Sequence, residues 1–347
     1  MNINDIKEFL SNYDGEELSF MEVCGTHTAA ISESGIPSVL SKKIHLISGP
    51  GCPVCVTVAD YIDRLCELAL TENTCVVTFG DLIRVPGSTS ALQETKSNGG
   101  HIQMVYSPFE VIELAKQDSN TQFVFAAVGF ETTTPIYAVM MEKIIENDIK
   151  NIRLLTALKT MPAAIDSLCR MGGKIDGFIA PGHVSVITGA DAFKPLAEKY
   201  SLPFVVSGFK AQELLATIYA LVKLKGQGKV VNLYKSAVTN SGNENARALV
   251  SKYFEPCDAV WRGIGKIENS GMALKAEYSM YDAGSRALVH DNVRNKMCRC
   301  GEVITGFVSP FQCPLFAKAC TPENPQGACM VSNEGSCFHY YINNRGC

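Results

Sequence analysis

FVFAAVGFETTTPIYAVMMEKIIENDIKNIRLLTALKTMPAAIDSLCRM, residues Phe123 to Met171, decides the fold. Phe123–Val128 is an unbroken apolar run of strand length. Gly129–Thr134 is a polar turn, and Pro135–Glu146 carries helical spacing. The cycle then repeats, with Ile152–Leu158 reading as a strand and Pro162–Met171 as a helix. A strand that is apolar on both sides belongs inside a sheet covered on both faces. Strands alternating with helices signal βαβ units and parallel pairing.

Working outward, the same rhythm extends in both directions. Ile3, Ile6, Phe9 and Leu10 share one face of a short helix over residues 3–13. Apolar runs at Phe20–Val23 and Ile44–Ser48 precede a helical pattern over Val56–Leu70, and Cys75–Phe79 and Ile102–Tyr106 read as strands. Ser107-Pro108-Phe109-Glu110 has the makeup of a helix start. Downstream, Gly177–Ala180 and Phe204–Ser207 read as strands and Ala211–Leu224 as a helix, closed by Gly226-Gln-Gly228. The expected fold class is α/β: two similar βαβ-type parallel-sheet domains with helices on both faces, over residues 1–120 and 121–230. A third, Cys-rich domain is expected over residues 231–347. Residues 231–297 look mixed and loop-rich. The last fifty residues lack any period, look unable to build much apolar core, and need a staple such as a metal or cluster.

The 347 residues are 46% hydrophobic and 19% charged, which excludes a wholly disordered chain. A net charge of −4 gives no reason to expect nucleic acid or an anionic membrane as partner. No run of 18 apolar residues suggests a span, and the acidic start is unlike a signal peptide. A cytoplasmic location is therefore expected, where cysteines stay reduced. Of the 14 cysteines, Cys298, Cys300, Cys313, Cys320, Cys329 and Cys337 crowd the C-terminal part. Cysteines in a reducing compartment point to metal, redox or nucleophile chemistry.

Four segments carry chemistry. In Gly49-Pro-Gly-Cys52-Pro-Val-Cys55 two thiols are spaced to touch at the expected entrance of a helix, whose dipole would favour a thiolate. The pair can cycle between dithiol and disulfide, or form half of a zinc site. Cys24-Gly-Thr-His27-Thr28 follows an apparent strand, where α/β proteins place their sites; it offers a metal-ligand or nucleophile–base pair. Gly129-Phe-Glu131-Thr-Thr-Thr-Pro135 and Ala180-Pro-Gly-His183-Val-Ser185 also follow strands, and the polar loops together are expected to line one cleft. The set Cys313, Cys320, Cys329, Cys337 suits Zn2+ or a [4Fe–4S] cluster, with Cys298 or Cys300 able to replace one ligand. Cys66, Cys75, Cys169, Cys257 and Cys347 read as core or surface thiols.

Taken in order, Cys24-Gly-Thr-His-Thr, Gly49-Pro-Gly-Cys-Pro-Val-Cys55, Gly129-Phe-Glu-Thr-Thr-Thr-Pro135, Pro181-Gly-His-Val-Ser185 and the tail Cys313…Cys320-Thr-Pro…Cys329-Met-Val-Ser…Glu-Gly-Ser-Cys337 resemble the hydrogenase maturation protein family HypD over essentially the whole chain. One departure is Lys210, where the family leads us to expect an acid after Ser207-Gly-Phe209; a role for that acid is in doubt here. The resemblance implies two similar α/β domains and a third carrying a [4Fe–4S] cluster on Cys313, Cys320, Cys329 and Cys337. It implies a scaffold for the Fe(CN)2CO unit of [NiFe]-hydrogenase, working with a HypC-like partner and taking cyanide from a HypE-like thiocyanate donor. By the resemblance, Cys24 would hold the iron and His27 would orient or deprotonate it. His183 would share that cleft, and Glu131 and Thr132 would shape the partner-facing pocket. Cys52 and Cys55 would pass on electrons that the cluster supplies. The rival readings are a zinc-stabilised α/β binding protein and a stand-alone thiol oxidoreductase.

Overall fold

A computed structural model describes residues 2–343. Cys347 lies outside the described residues. Strands β1 (Leu18–Glu22), β2 (Ile44–Ser48), β7 (Gly177–Ala180), β8 (Phe204–Val206) and β9 (Val230–Asn232) form one sheet, in the order β2-β1-β7-β8-β9 and parallel throughout. The second sheet has the order β10-β11-β6-β5-β3-β4, built from β3 (Thr74–Thr78), β4 (Ile102–Met104), β5 (Gln122–Gly129), β6 (Ile152–Lys159), β10 (Phe254–Trp261) and β11 (Gly265–Leu274). Its β3 to β6 strands are parallel, and the β10–β11 hairpin adds antiparallel to β6. The α/β class with two parallel-containing sheets is as expected.

The strands are where the apolar runs put them, because runs such as β5 and β7 are buried along nearly their whole length between helical layers. Helices follow their apolar stripes. Ala59–Ala69 turns Tyr61, Ile62, Leu65, Cys66 and Ala69 inward, three to four residues apart. Ala211–Leu224 does the same with Leu214, Leu215, Ile218 and Leu221.

Which strand joins which sheet departs from the expected division. The strands on either side of residue 120, β3 and β5, pair directly, as Val76 with Val124 shows. The chain leaves the first sheet after β2, builds β3 to β6, and returns to set β7 beside β1, with Phe20 opposite Gly177. Residue 230 is no sheet boundary either, since β11 pairs with β6 through Met272 and Leu158. Strand–helix alternation is a local signal, whereas pairing is decided by contacts more than a hundred residues apart. The loop-rich reading of residues 231–297 is corrected too. Glu244–Tyr253 is a helix and β10–β11 a long hairpin. Pro256, Gly271 and half-buried positions hid its alternation.

The C-terminal stretch lies over both sheets and shares their core. Cys300, Val303, Ile304, Leu315, Ala328, Cys329, Met330 and Val331 are buried in one cluster with Val54, Cys55 and Val56. The expectation of little apolar core holds for the segment alone; it borrows its core from the α/β body. It is tied down by Arg84 donating to Pro322 O at 2.8 Å and Asn343 Nδ2 donating to Ser32 Oγ at 2.6 Å. Gly263, with φ +77°, meets Gly301 backbone to backbone; a Cβ on it would stand 2.3 Å from Gly301 Cα.

That contact predicts a large asymmetry between two glycines of similar conformation. Gly263→Ala adds a backbone clash to the left-handed penalty. Gly284→Ala, at φ +99° with open space around it, carries only the penalty. We expect losses of at least about 3 kcal/mol and of about 1 kcal/mol, respectively. Urea unfolding of both variants measures this, and equal losses would contradict the close docking of residues 263 and 301.

Candidate functional site

In the first sheet the chain order reverses between β1 and β7, the place where α/β sheets open a crevice at their carboxyl ends. Cys24 stands there, immediately before a helix over Gly25–Glu33 that the sequence reading did not anticipate. The thiol is buried. Burial foremost, with the Glu22 and Glu334 carboxylates beside it, pushes it up to about 12, although the His27 and Thr26 backbone N–H groups face the sulfur. Glu22, on the last residue of β1, accepts the Cys24 N–H at 3.0 Å and the Thr28 hydroxyl. Burial pushes its own carboxyl up to about 7.

His27 is fully buried. Its Nε2 meets Gly208 O at 3.1 Å, which makes Nε2 the protonated nitrogen and leaves Nδ1 an acceptor without a hydrogen-bond partner among the described residues. Burial holds its pKa down to about 4. Phe209 lies between the two histidines, 4.7 Å from the His27 ring and 4.1 Å from His183. His183 thus shares the crevice with His27 through that ring, and burial lowers its pKa as well. Lys210 is exposed at the start of the next helix, where its backbone N–H donates to Glu213 at 3.0 Å.

The Cys52–Cys55 pair sits on the crossing between the two sheets. Gly51 is pressed onto Cys24, so that a Cβ there would lie 2.3 Å from the Cys24 nitrogen, and Gly51 O accepts the Gly25 N–H at 2.9 Å. The expected helix entrance is corrected. Turns follow the pair, the helix begins only at Ala59, and its Ala59 N–H is taken by Asp291 at 3.0 Å, not by a thiol. Cys52 Sγ accepts the Cys55 N–H at 3.1 Å and donates to Ser332 Oγ at 3.3 Å. Burial and contact with the Cys329 and Cys52 sulfurs raise Cys55 well above the usual thiol range.

Cys329 is the hub of the C-terminal thiols. The Cys300, Cys337 and Cys55 thiols converge on it and hold it well below the ordinary range, and its sulfur also accepts the Cys337 N–H at 3.2 Å. Cys298 is brought down to about 7 by the neighbouring Cys300 thiol, with help from the Arg262 charge. Cys313 and Cys320 complete the group around Cys298. Among the described residues no three His, Cys, Asp or Glu side chains converge as ligands of a single metal ion. The donor chemistry nevertheless fits a thiophilic, anionic group. Six thiols are gathered with five of them buried, and beside Cys298 the buried Arg262 guanidinium, its Nε 3.5 Å from Asp291, keeps Nη2 without an acceptor among the described residues.

A cleft of about 510 Å3 opens at the carboxyl ends of β3 and β5. Pro53 and Val54 of the C-x-x-C loop, Thr133 of the Gly129–Pro135 loop, Asp81, Ser332 and Glu334 line it. So the polar loops do not share one cleft as expected. Cys24, His27 and His183 gather at the first sheet, and Thr133 at the second, with Glu334 reaching both. Glu131 serves elsewhere, its Oε1 accepting the Met161 N–H at 2.8 Å. The sequence reading missed Glu22, Asp81, Glu334 and Arg262. Glu22 carried a signal as a lone carboxylate in the apolar run Phe20-Met-Glu-Val, and Glu334 stands in the tail motif Glu-Gly-Ser-Cys337, though neither was given a role.

A family model for HypD, described as the hydrogenase formation hypA family, matches residues 2–344. The chain belongs to the HypD family. Hydrogenase maturation factor HypD1 of Bradyrhizobium diazoefficiens is 40% identical over 339 residues, covering 94% of this chain and 89% of that protein. Hydrogenase maturation factor HypD of Escherichia coli is 38% identical over 332 residues, covering 93% and 88%. That of Azotobacter vinelandii is 38% identical over 337 residues, covering 94% and 89%. The chain is therefore a hydrogenase maturation factor, a role that implies other maturation proteins as partners. Among the described residues no helix is long and apolar enough to cross a membrane.

One prediction concerns Glu131 in this HypD chain. Burial raises its folded-state carboxyl to about 7 from an ordinary 4.5. The folded chain keeps that proton where the unfolded chain has lost it. Stability is therefore unpenalised at low pH and falls as pH rises through this window. Glu131→Gln keeps an acceptor for Met161 N–H. It should match the wild type below pH 4.5 and exceed it by up to about 3 kcal/mol above pH 7. Urea unfolding across that range measures the gap, and a pH-independent gap would refute the assignment.

Proposed function

We propose that this chain is the scaffold on which the Fe(CN)2CO unit of [NiFe]-hydrogenase is assembled, and that Cys24 holds the iron substrate jointly with a cysteine of a HypC-like partner. A soft thiolate suits low-spin iron with strong-field ligands. The Cys24 proton, firmly held without iron, leaves when the metal binds. Glu22, which exchanges protons near neutral pH beside it, and the bare Nδ1 of His27 are the groups placed to manage that proton. His183 acts beside the site as a positioning group, stacked on the Phe209 ring that also meets His27. The location of this work is the cytoplasm, with no nucleic acid or membrane as partner.

Cyanide arrives as a thiocyanate on a HypE-like partner. Its release takes two electrons, breaking the S–CN bond to give a thiolate and cyanide. Oxidation of the Cys52–Cys55 dithiol to a disulfide supplies those two electrons and frees two protons. Cys313, Cys320, Cys329 and Cys337 would hold a [4Fe–4S] cluster, with Cys298 and Cys300 as reserves. That group supplies single electrons when bound. The observation that carries this reading is the placement of the pair: Gly51 lies against Cys24 on one side, and Cys55 touches Cys329 on the other.

Protein purified without oxygen should contain iron and acid-labile sulfide in equal amounts, about four of each per chain. Cys24→Ala should keep that content but bind no cyanide-ligated iron, as read from infrared cyanide bands in the complex with the HypC-like partner. Cys52→Ala should likewise keep iron and sulfide but lose cyanide delivery. Full assembly by Cys52→Ala would overturn the electron role of the pair, and zinc without sulfide would favour a zinc-stabilised binding protein.

A further inference from the structure

A second enclosure lies away from the gathered C-terminal thiols, beneath the β10–β11 hairpin, with Cys257 in its wall. It is a cavity of about 190 Å3, walled by the end of β6, both hairpin strands and residues 285–289. Three cations border it. Lys266 is paired with Asp258 at 2.9 Å, and Arg286 with Glu255 at 2.6 Å. Lys159, the most buried of the three at 4% exposure, has no carboxylate within ion-pair distance among the described residues. Its Nζ donates to Val260 O at 2.6 Å and stands 5.3 Å from the centre of the Trp261 ring. Asp291, the remaining carboxylate that acts on it, is engaged by Arg262 at 3.5 Å and by the Ala59 N–H.

We propose that this cavity is a binding site for a small monocarboxylate, whose charge is matched by the Lys159 ammonium. A buried charge without a counter-ion is costly, and an ammonium facing an open cavity with unused N–H donors is relieved by an anion placed there. The volume admits a carboxylate of a few heavy atoms. It falls short of the roughly 300 Å3 at which pockets for larger ligands begin, which excludes nucleotides. A single unpaired cation matches a single negative charge and leaves a phosphate dianion half uncompensated. Burial together with the nearby Arg262 charge brings Lys159 down to about 7, against the opposing influence of Cys257 and Asp291. A bound carboxylate reverses that trend. The site uses none of the groups assigned to iron or electrons, so it stands or falls independently of the scaffold reading.

Trp261 is the only tryptophan of the 347 residues and its ring centre stands 5.3 Å from Lys159 Nζ, so its fluorescence reports on that ammonium without labelling. The full chain is titrated with sodium acetate at constant ionic strength, with sodium chloride as the balancing salt. We expect a saturable change in Trp261 emission, weakened at least about tenfold by Lys159→Gln, as loss of a charge-assisted hydrogen bond demands. No saturable change, or equal affinity in Lys159→Gln, would overturn the proposal. Should that variant fail to fold, the unaltered chain decides through cyanate, a small reagent that carbamoylates neutral amines. Mass spectrometry should show saturating acetate slowing modification of Lys159 at least fivefold while Lys7, exposed on the N-terminal helix and outside the cavity wall, reacts unchanged. Equal slowing of both, or of neither, refutes the site.

Discussion

The backbone of the crossing between the sheets passes within touching distance of the Cys24 backbone, and Gly51 is the residue that lets it. A side chain there would push residues 49–55 away from the carboxyl end of β1 and carry the Cys52–Cys55 pair with it. The same crossing is gripped from the opposite side by Ser332, Ala328 and Cys329 of the C-terminal stretch. One glycine therefore sets the spacing between a thiol at the first sheet and the C-terminal thiols. The Gly263–Gly301 contact plays the matching part below, bringing Arg262 up to Cys298.

Exclusion of water governs the chemistry of this region more than any pair of charges does. Glu22, Asp81 and Glu334 all have carboxyls raised first by burial, and Cys24 and Cys55 are raised for the same reason. Burial in such a medium disfavours the charged form of each of these groups. His27 fits that scheme, because burial keeps its imidazole neutral and its one committed hydrogen bond fixes which nitrogen is bare.

How much of this could be read from the residues depends on whether the signal was local. β5, β6 and the helix Ala211–Leu224 were legible because an apolar run or a stripe of helical period is written within a dozen residues. The gathering of the C-terminal cysteines was legible because thiols at close spacing have few ordinary uses. The division at residue 120 failed, because nothing within Thr74–Thr78 says that its neighbour is Gln122–Gly129 and not β1. The helix after Cys24 went unseen because Gly25-Thr-His-Thr reads as a turn; its helical state is stabilised by packing under Glu334. Arg262 gave no sign at all, since its meaning comes from Gly301, Asp291 and Cys298, none of which is nearby in the chain.

The interleaving of the two sheets also sets an order of events during synthesis. β1 and β2 emerge early, yet β1 lacks its inner neighbour until Gly177–Ala180 has been made. The second sheet is completed across β6 only when the hairpin ending at Leu274 appears. Pairings of such long sequence separation are slow to form and leave strand edges open meanwhile. The cysteines from Cys298 to Cys337 arrive after both sheets have their strands, so the walls that will enclose them exist before they leave the ribosome. Delaying the soft donors until a shaped receptacle is ready limits the time in which loose thiols can capture stray metal or one another.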